Sequence, residues 1–298
     1  MDTMTEKINA PVHIINPQAG KGKVKKLKEQ LPEGALVHMS DTPEEASEFI
    51  KATCEENPHT CFTIYGGDGT VFRTVNALME SGHNDTASLK VVPSGSGNDF
   101  VRTFDSEKGE FLVDVMHVND KYAINVVNMG FDCNVVERAA RLKKLPLVSG
   151  KMSYILGVVG ELIKKKPLNL KATVTLENGE TEVIEGEFLL AAVANAMWYG
   201  GGFKVAPMAD VSDGILNLSL VKNITRRRFI GIVGDYKKGA LADENGNPVD
   251  KVSGILIYRR CTAVKIEGCG AFCADGEIFP EDTVEISVMP KAIKYIKD

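Results

Sequence analysis

Short apolar runs alternate with helical periodicity over the first third of the chain. VHIIN (12–16), ALVHM (35–39), FTIYGG (62–67) and LKVVPSG (89–95) read as strands. Between them the pattern predicts a lysine-rich helix through about Gln30, a helix from about Pro43 to Glu56 and another from about Thr70 to Ser81. Successive strand–helix units favour a parallel sheet covered by helices, with ligands at the carboxyl ends of the strands. The glycine-rich segments fall at those ends. After about Gly109 the rhythm changes to strand-like pieces: FLVDVMHV, KYAINVVNMGF, LKATVTLENG, TEVIEGEFLLAAVANA, GILNLSLV, SGILIYRRCTAVKIEG and DTVEISVMP. Turn signals such as Glu177-Asn178-Gly179-Glu180 separate them, which predicts an antiparallel β domain. Helices are expected at about 150–166 and 226–237, and the seam between the two halves near 110–130.

A length of 298 residues suits two domains, and 44 % apolar with 25 % charged residues is an ordinary globular balance. A net charge of −5 argues against wholesale attraction to nucleic acid. The six cysteines form no C-x-x-C pair and are too sparse for a disulfide scaffold, so reduced thiols in a cytoplasm are expected. No apolar run reaches the ~18–20 residues of a spanning helix, so any membrane contact is peripheral, at the inner face.

Three loops carry the candidate chemistry. Tyr65-Gly66-Gly67-Asp68-Gly69-Thr70 follows a strand and opens a helix, so its backbone can turn sharply and present free N–H groups to an anion. Asp68 would repel phosphate unless a divalent cation lay between them, which implies Mg²⁺ if a nucleotide binds. The same residues also read as a glycine-rich turn with a capping Asp or Thr. Ser94-Gly95-Ser96-Gly97-Asn98-Asp99 repeats the arrangement at the next strand end, where Asn98 and Asp99 add polar and acidic groups. The opening loop, Asn16-Pro17-Gln18-Ala19-Gly20-Lys21, sits beside a run of lysines that is either a local positive field or a solvated helix face.

Asn16-Pro17-x-x-Gly20-Lys21, Gly66-Gly67-Asp68-Gly69-Thr70 and Pro93-x-Gly95-Ser96-x-Asn98-Asp99-Phe100, in this order, resemble the catalytic domain of diacylglycerol kinases, sphingosine kinases and their bacterial lipid-kinase relatives. Gly200-Gly201-Gly202, Pro207, Asp213-Gly214 and Asp275-Gly276-Glu277 continue that pattern, so the resemblance spans nearly the whole chain. NAD kinases and phosphofructokinases resemble it at the glycine loop alone. The resemblance implies an α/β plus β fold: a parallel-sheet nucleotide-binding domain over 1–128, joined by C-terminal residues 290–298, then an antiparallel β-sandwich-like domain over 129–289, with the active site in the cleft between them.

It also implies transfer of the γ-phosphate of ATP, with Mg²⁺, to a lipid hydroxyl of a diacylglycerol-like molecule or a long-chain base. The nucleotide is expected at Asn16, Pro17, Gln18, Ala19, Gly20, Ser40, Gly66, Gly67, Asp68, Gly69, Thr70, Val71, Phe72 and Ser96. Phe72 and Ser96 depart from the family, which more often has Asn or Glu at the first position and Thr at the second. By the same resemblance Glu277 is the acid/base residue, and a structural Mg²⁺ rests on Asp213 with carbonyls of Asp210 and Ile215. A plain turn explains either segment equally well as local structure. Asp99 and Asp132 are further candidates for an acidic network near the metal. The segment 150–166, apolar between lysines, is read either as a membrane-facing helix or as a helix packed on the β domain. The competing functions are an NAD-kinase-like small-molecule kinase and a nucleotide-binding regulator without catalysis. A homodimer is left open.

Overall fold

The computed structural model describes residues 11–15, 31, 34–40, 42–95, 97–104, 107–143, 156–158, 160–161, 166–243 and 246–298. The opening loop Asn16–Gly20, the lysines after it, Ser96 and most of the segment 150–166 lie outside them.

The first half is built as its hydrophobic periodicity predicts. Strands β1 (Val12–Ile15), β2 (Leu36–Met39), β3 (Cys61–Gly66) and β4 (Ser88–Pro93) pair in parallel, in the order β2-β1-β3-β4. Helix α1 (Pro43–Glu56) starts at Thr42, whose hydroxyl accepts from Glu45 N–H, with Pro43 in the first turn where its missing N–H costs nothing. Helix α2 (Asp68–Ser81) follows β3 directly and ends at Gly82, in the left-handed conformation that glycine adopts without strain. Phe62, Ile64, Val75, Leu78 and Leu89 close the core of this half.

The second half is antiparallel. A short helix α3 (Asp99–Thr103) leads to β5 (Gly109–Val118), β6 (Lys121–Ala123) and β7 (Val126–Gly130), then helix α4 (Phe131–Lys143). Next come β8 (Leu168–Leu176), β9 (Thr181–Ala194), β10 (Leu216–Lys222), helix α5 (Arg226–Lys238) and β11 (Leu256–Glu267). The hairpin β12 (Phe272–Ala274) and β13 (Glu277–Phe279) precedes β14 (Thr283–Lys297). Helix α4 departs from the sequence expectation, which carried the strand through Phe131. Gly130 breaks it: its φ is +76°, and a Cβ there would lie 2.7 Å from the Leu189 carbonyl oxygen, so only glycine makes this turn.

One strand joins the two halves. β14 pairs antiparallel with β11 over Thr283–Ser287, and its far end, Lys294–Ile296, runs parallel to Ser88–Lys90 of β4. The register slips between Met289 and Ile293, where Lys291 adopts a φ of +53°. Fully buried Asp114 holds this bulge by accepting Lys291 N–H at 2.7 Å, and its other oxygen accepts Gly214 N–H at 2.7 Å. All six cysteines are free. Among the described residues no helix is long and apolar enough to cross a membrane.

Candidate functional site

The carboxyl ends of β3 and β4 place the two glycine loops against each other. Ser94 N–H donates to Gly66 O at 2.9 Å, and a Cβ on Gly95 would lie only 2.5 Å from Gly67 Cα. The loops therefore touch backbone to backbone, which any side chain would prevent. Asn98 shapes the second loop: its side chain bonds both the N–H and the C=O of Gly95 at 3.0 Å, and its backbone takes a φ of +55°. Asp68, at the start of α2, clasps the result by accepting Asn98 N–H at 2.9 Å and Asp99 N–H at 2.8 Å.

Asp99 extends the linkage into the β half. It is buried, and its Oδ2 accepts Gly201 N–H at 2.7 Å from the turn Gly200-Gly201-Gly202. Among the described residues its Oδ1 has no hydrogen-bond partner; Arg102 Nε stands 3.9 Å away, beyond hydrogen-bond range. Burial above all, with the nearby charge of Asp68, pushes Asp99 up to about 6 against the pull of the Gly201 amide.

The third component is the hairpin between β12 and β13. Asp275, with a φ of +48°, accepts three amides of the β6–β7 crossing: Ile124 at 2.8 Å, Asn125 at 3.0 Å and Val126 at 2.9 Å. Burial raises it to about 6 although all three amides pull the other way. Glu277, two residues on, comes within 3.5 Å of the space beside Gly69 Cα where a Cβ would stand. Its Oε1 pairs with Arg73 Nη2 at 3.2 Å, with both side chains about two-fifths exposed. Glu277 thus reaches the first glycine loop from 208 positions along the chain.

Two family models match the chain and meet at residues 125–129. Residues 11–129 match the diacylglycerol kinase catalytic domain, and residues 125–297 match the YegS C-terminal NAD kinase beta sandwich-like domain. The chain belongs to the diacylglycerol-kinase-like lipid kinase family. A diacylglycerol kinase of Mycobacterium tuberculosis is 28 % identical over 252 residues, covering 78 % of this chain and 75 % of the relative. A Staphylococcus haemolyticus protein named as a candidate lipid kinase is 30 % identical over 250 residues, covering 78 % and 75 %. In fold, the chain is similar to the crystal structure of a candidate diacylglycerol kinase of Bacillus anthracis, with a TM-score of 0.74, 19 % identity and 97 % of both chains covered.

Not every residue assigned by the family pattern sits at the loops. Ser40 and Thr70 meet on a cavity of about 120 Å³ that Thr42, Arg73 and Thr74 also line. The side chains of Val71 and Phe72 are core instead, Phe72 packing against Phe279 with ring centroids 6.3 Å apart, and Val71 N–H donates to Gly67 O at 3.1 Å. Asp132 is buried among tyrosines: Tyr199 O–H donates to it, and Tyr236 O–H stands at 3.4 Å. Burial pushes it up to about 6. Arg73 carries no motif signal of its own in a single sequence, and Asp275, although part of the Asp275-Gly276-Glu277 motif, gives no local sign that it clamps the β6–β7 crossing.

Among the described residues no three His, Cys, Asp or Glu side chains form a cage for a metal ion. Mg²⁺ beside a nucleotide needs only one or two carboxylates, because phosphates and water fill the remaining positions. Asp68 and Asp99 fit that requirement. Asp99 has its orphaned buried oxygen, and a Cβ on Gly97 would lie 2.5 Å from Asp68 Oδ2 and 3.3 Å from Asp99 Oδ2, so glycine keeps the ground beside both carboxylates open. At the loop 210–215, Asp213 Oδ1 accepts Ile215 N–H at 2.9 Å and Asp213 Oδ2 pairs with Arg260 at 3.1 Å. A cation on Asp213 would have to displace a guanidinium.

Proposed function

We propose that the chain is an ATP-dependent lipid kinase, transferring the γ-phosphoryl group of ATP to the hydroxyl of a diacylglycerol-like or long-chain-base acceptor. The observation that carries the reading is the approach of Glu277 to the loop that begins with Asp68. A carboxylate able to take a proton stands beside a backbone built for phosphate.

Phosphoryl transfer leaves the protein mainly with positioning and charge neutralisation. The amides at the start of α2, ahead of Thr70 and Val71 whose N–H groups donate to Gly67 O at 2.9 and 3.1 Å, offer N–H groups to phosphate oxygens. Glu277 accepts the acceptor hydroxyl's proton as its oxygen bonds to the γ-phosphorus and the bond to the β–γ bridging oxygen breaks; the products are the phosphorylated lipid and ADP. Mg²⁺, held by Asp68 and Asp99, would neutralise phosphate charge. Arg73 fixes Glu277 before the acceptor arrives, and Asp275 fixes the hairpin that carries it.

The test is transfer of labelled γ-phosphate from ATP, with Mg²⁺, to a panel of diacylglycerol, monoacylglycerol, sphingoid base, phosphatidylglycerol and NAD. Glu277→Ala and Asp68→Ala run alongside. Label in a lipid that disappears in both variants is the expected result. Label in NAD alone overturns the acceptor class, and a Glu277→Ala enzyme as active as its parent overturns the acid/base assignment.

A further inference from the structure

Helix α5 breaks the local rules of a stable surface helix on the side facing away from the protein. Its inner face is ordinary: Phe229, Ile232 and Tyr236 are buried. Its outer face carries Arg227, Ile230, Gly231, Gly234 and Lys238, all exposed, with Ile230 at 60 %. A Cβ on either glycine would meet nothing within 4 Å among the described residues, so no contact among them requires glycine at positions where it weakens a helix. The first turn holds Arg226, Arg227 and Arg228 and no acid, setting positive charge against the positive end of the helix dipole. Lys237 and Lys238 follow in the last turn, and the helix's one acid, Asp235, is paired with Lys251 at 2.5 Å. Five cations thus crowd a helix of 13 residues in a chain whose net charge is −5.

This basic face continues to the mouth of the candidate site. Lys237 Nζ lies 5.5 Å from the Phe203 ring centre, and Lys204 N–H donates to Lys237 O at 3.0 Å. Lys204 Nζ and the Arg102 guanidinium both stand over the ring of Trp198, at 5.7 and 5.5 Å. Arg102 lies on α3, one turn beyond Asp99. Cations interleaved with aromatic rings, next to an exposed isoleucine on a glycine-smoothed face, match the chemistry of an anionic bilayer surface. Phosphates meet Arg and Lys, rings sit at headgroup depth and an apolar side chain enters the acyl boundary. A nucleic acid would use the cations but has no place for Ile230.

We propose that the outer face of α5, with Trp198, Lys204 and Arg102, docks the protein on an anionic lipid bilayer and brings the glycine loops to its surface. The purpose of the docking rests on the lipid-kinase reading; the binding itself does not. The experiment is co-sedimentation of the full chain with vesicles of phosphatidylglycerol and phosphatidylcholine, and of phosphatidylcholine alone, without ATP. The parent is compared with Ile230→Asp and with Arg227→Glu plus Lys238→Glu. The parent is expected to partition onto the anionic vesicles, more weakly as salt rises, and the double reversal to lower partitioning by at least about tenfold. Arg227→Glu alone should raise the melting temperature, because it suits the helix dipole, while still weakening vesicle binding; a merely structural role would not separate the two. Equal binding by parent and variants, no binding by the parent, or binding to duplex DNA but not to vesicles overturns the proposal. If no lipid in the label-transfer panel is phosphorylated and vesicle binding behaves as stated, the kinase reading fails and the docking surface stands.

Discussion

Replacing Asp275 by Asn tests whether the hairpin clamp positions Glu277. The carboxylate serves three amides, with Oδ1 taking Asn125 and Val126 and Oδ2 taking Ile124. An asparagine keeps one acceptor oxygen. Placed at the Oδ1 position, it retains two bonds and turns an NH₂ group toward the Ile124 N–H, leaving two buried donors facing each other. An unsatisfied buried donor costs about 1–3 kcal/mol and the retained bonds lose their charge assistance, while removal of a charge that burial disfavours offsets part of this, so the loss should be about 1–2 kcal/mol. At about 2–4 °C per kcal/mol for a large domain, the melting temperature should fall by roughly 2–8 °C. The assay is urea and thermal unfolding at pH 8, where the carboxyl is ionised, together with steady-state phosphoryl transfer. Since both Asp275 oxygens are taken by backbone amides, KM for ATP should hold while kcat falls by tenfold or more, because a displacement of about 1 Å at a reacting group costs on the order of 10²-fold. A variant within about 0.5 kcal/mol of the parent, or one that loses stability but keeps kcat, would refute the reasoning.

Three further outcomes follow from the same geometry. Asp99 is pushed up to about 6 from an ordinary 3.8, so the folded state binds its proton more tightly than the unfolded state does. That stability is fully present below about pH 4 and is lost as pH rises through about 6, a change of about 3 kcal/mol in all; Asp99→Asn should flatten the urea-unfolding profile between pH 4.5 and 7.5 by the roughly 2 kcal/mol of that change that falls in this window. Gly95→Ala, whose Cβ would stand 2.5 Å from Gly67 Cα, should cost about 1–3 kcal/mol and weaken binding of an ATP analogue measured by calorimetry, and unchanged values for both would dismiss the close contact. Arg73→Ala removes a half-exposed pair and should change stability by less than about 1 kcal/mol; kcat should still fall by about tenfold, with partial recovery in Arg73→Lys, as read in the label-transfer assay.

The parts of this molecule legible in the sequence are those whose signals are local. The strands of the first half announce themselves by apolar runs ending in glycine, and the loops at 66–70 and 94–99 by the density of small residues after each run. What escapes such a reading depends on contacts across long stretches of chain. The start of α4 is one case: Gly130 turns the chain because the Leu189 carbonyl blocks anything with a Cβ, and Leu189 is 59 positions away. Phe72 is another. The family resemblance implies nucleotide contact there, yet the helical period directs its ring into the core against Phe279. The loop 210–215 shows the same limit in charge, since no local signal announces that Arg260, from a neighbouring strand, pairs with Asp213.

The acids at the loops do two things with one charge. Asp68, Asp99 and Asp275 each accept backbone amides from a different segment, and so tie α2 to α3, α3 to the Gly200 turn, and the Glu277 hairpin to the β6–β7 crossing. The same stitching gathers negative charge: Asp68 raises both Asp99 and Asp275, in each case after burial. A set of acceptors chosen for stability alone would not place a second buried carboxylate within reach of the first, nor leave one of its oxygens unbonded. Stability and activity should therefore part company at Asp99. Above pH 6 the neutral amide of Asp99→Asn removes a charge that the fold supports at a cost, so the variant should unfold at higher urea than its parent there, and it should transfer phosphate more slowly. Deletion of a purely structural clamp, such as the Asp114 carboxylate beneath the β14 bulge, should lower stability first and activity only as a consequence.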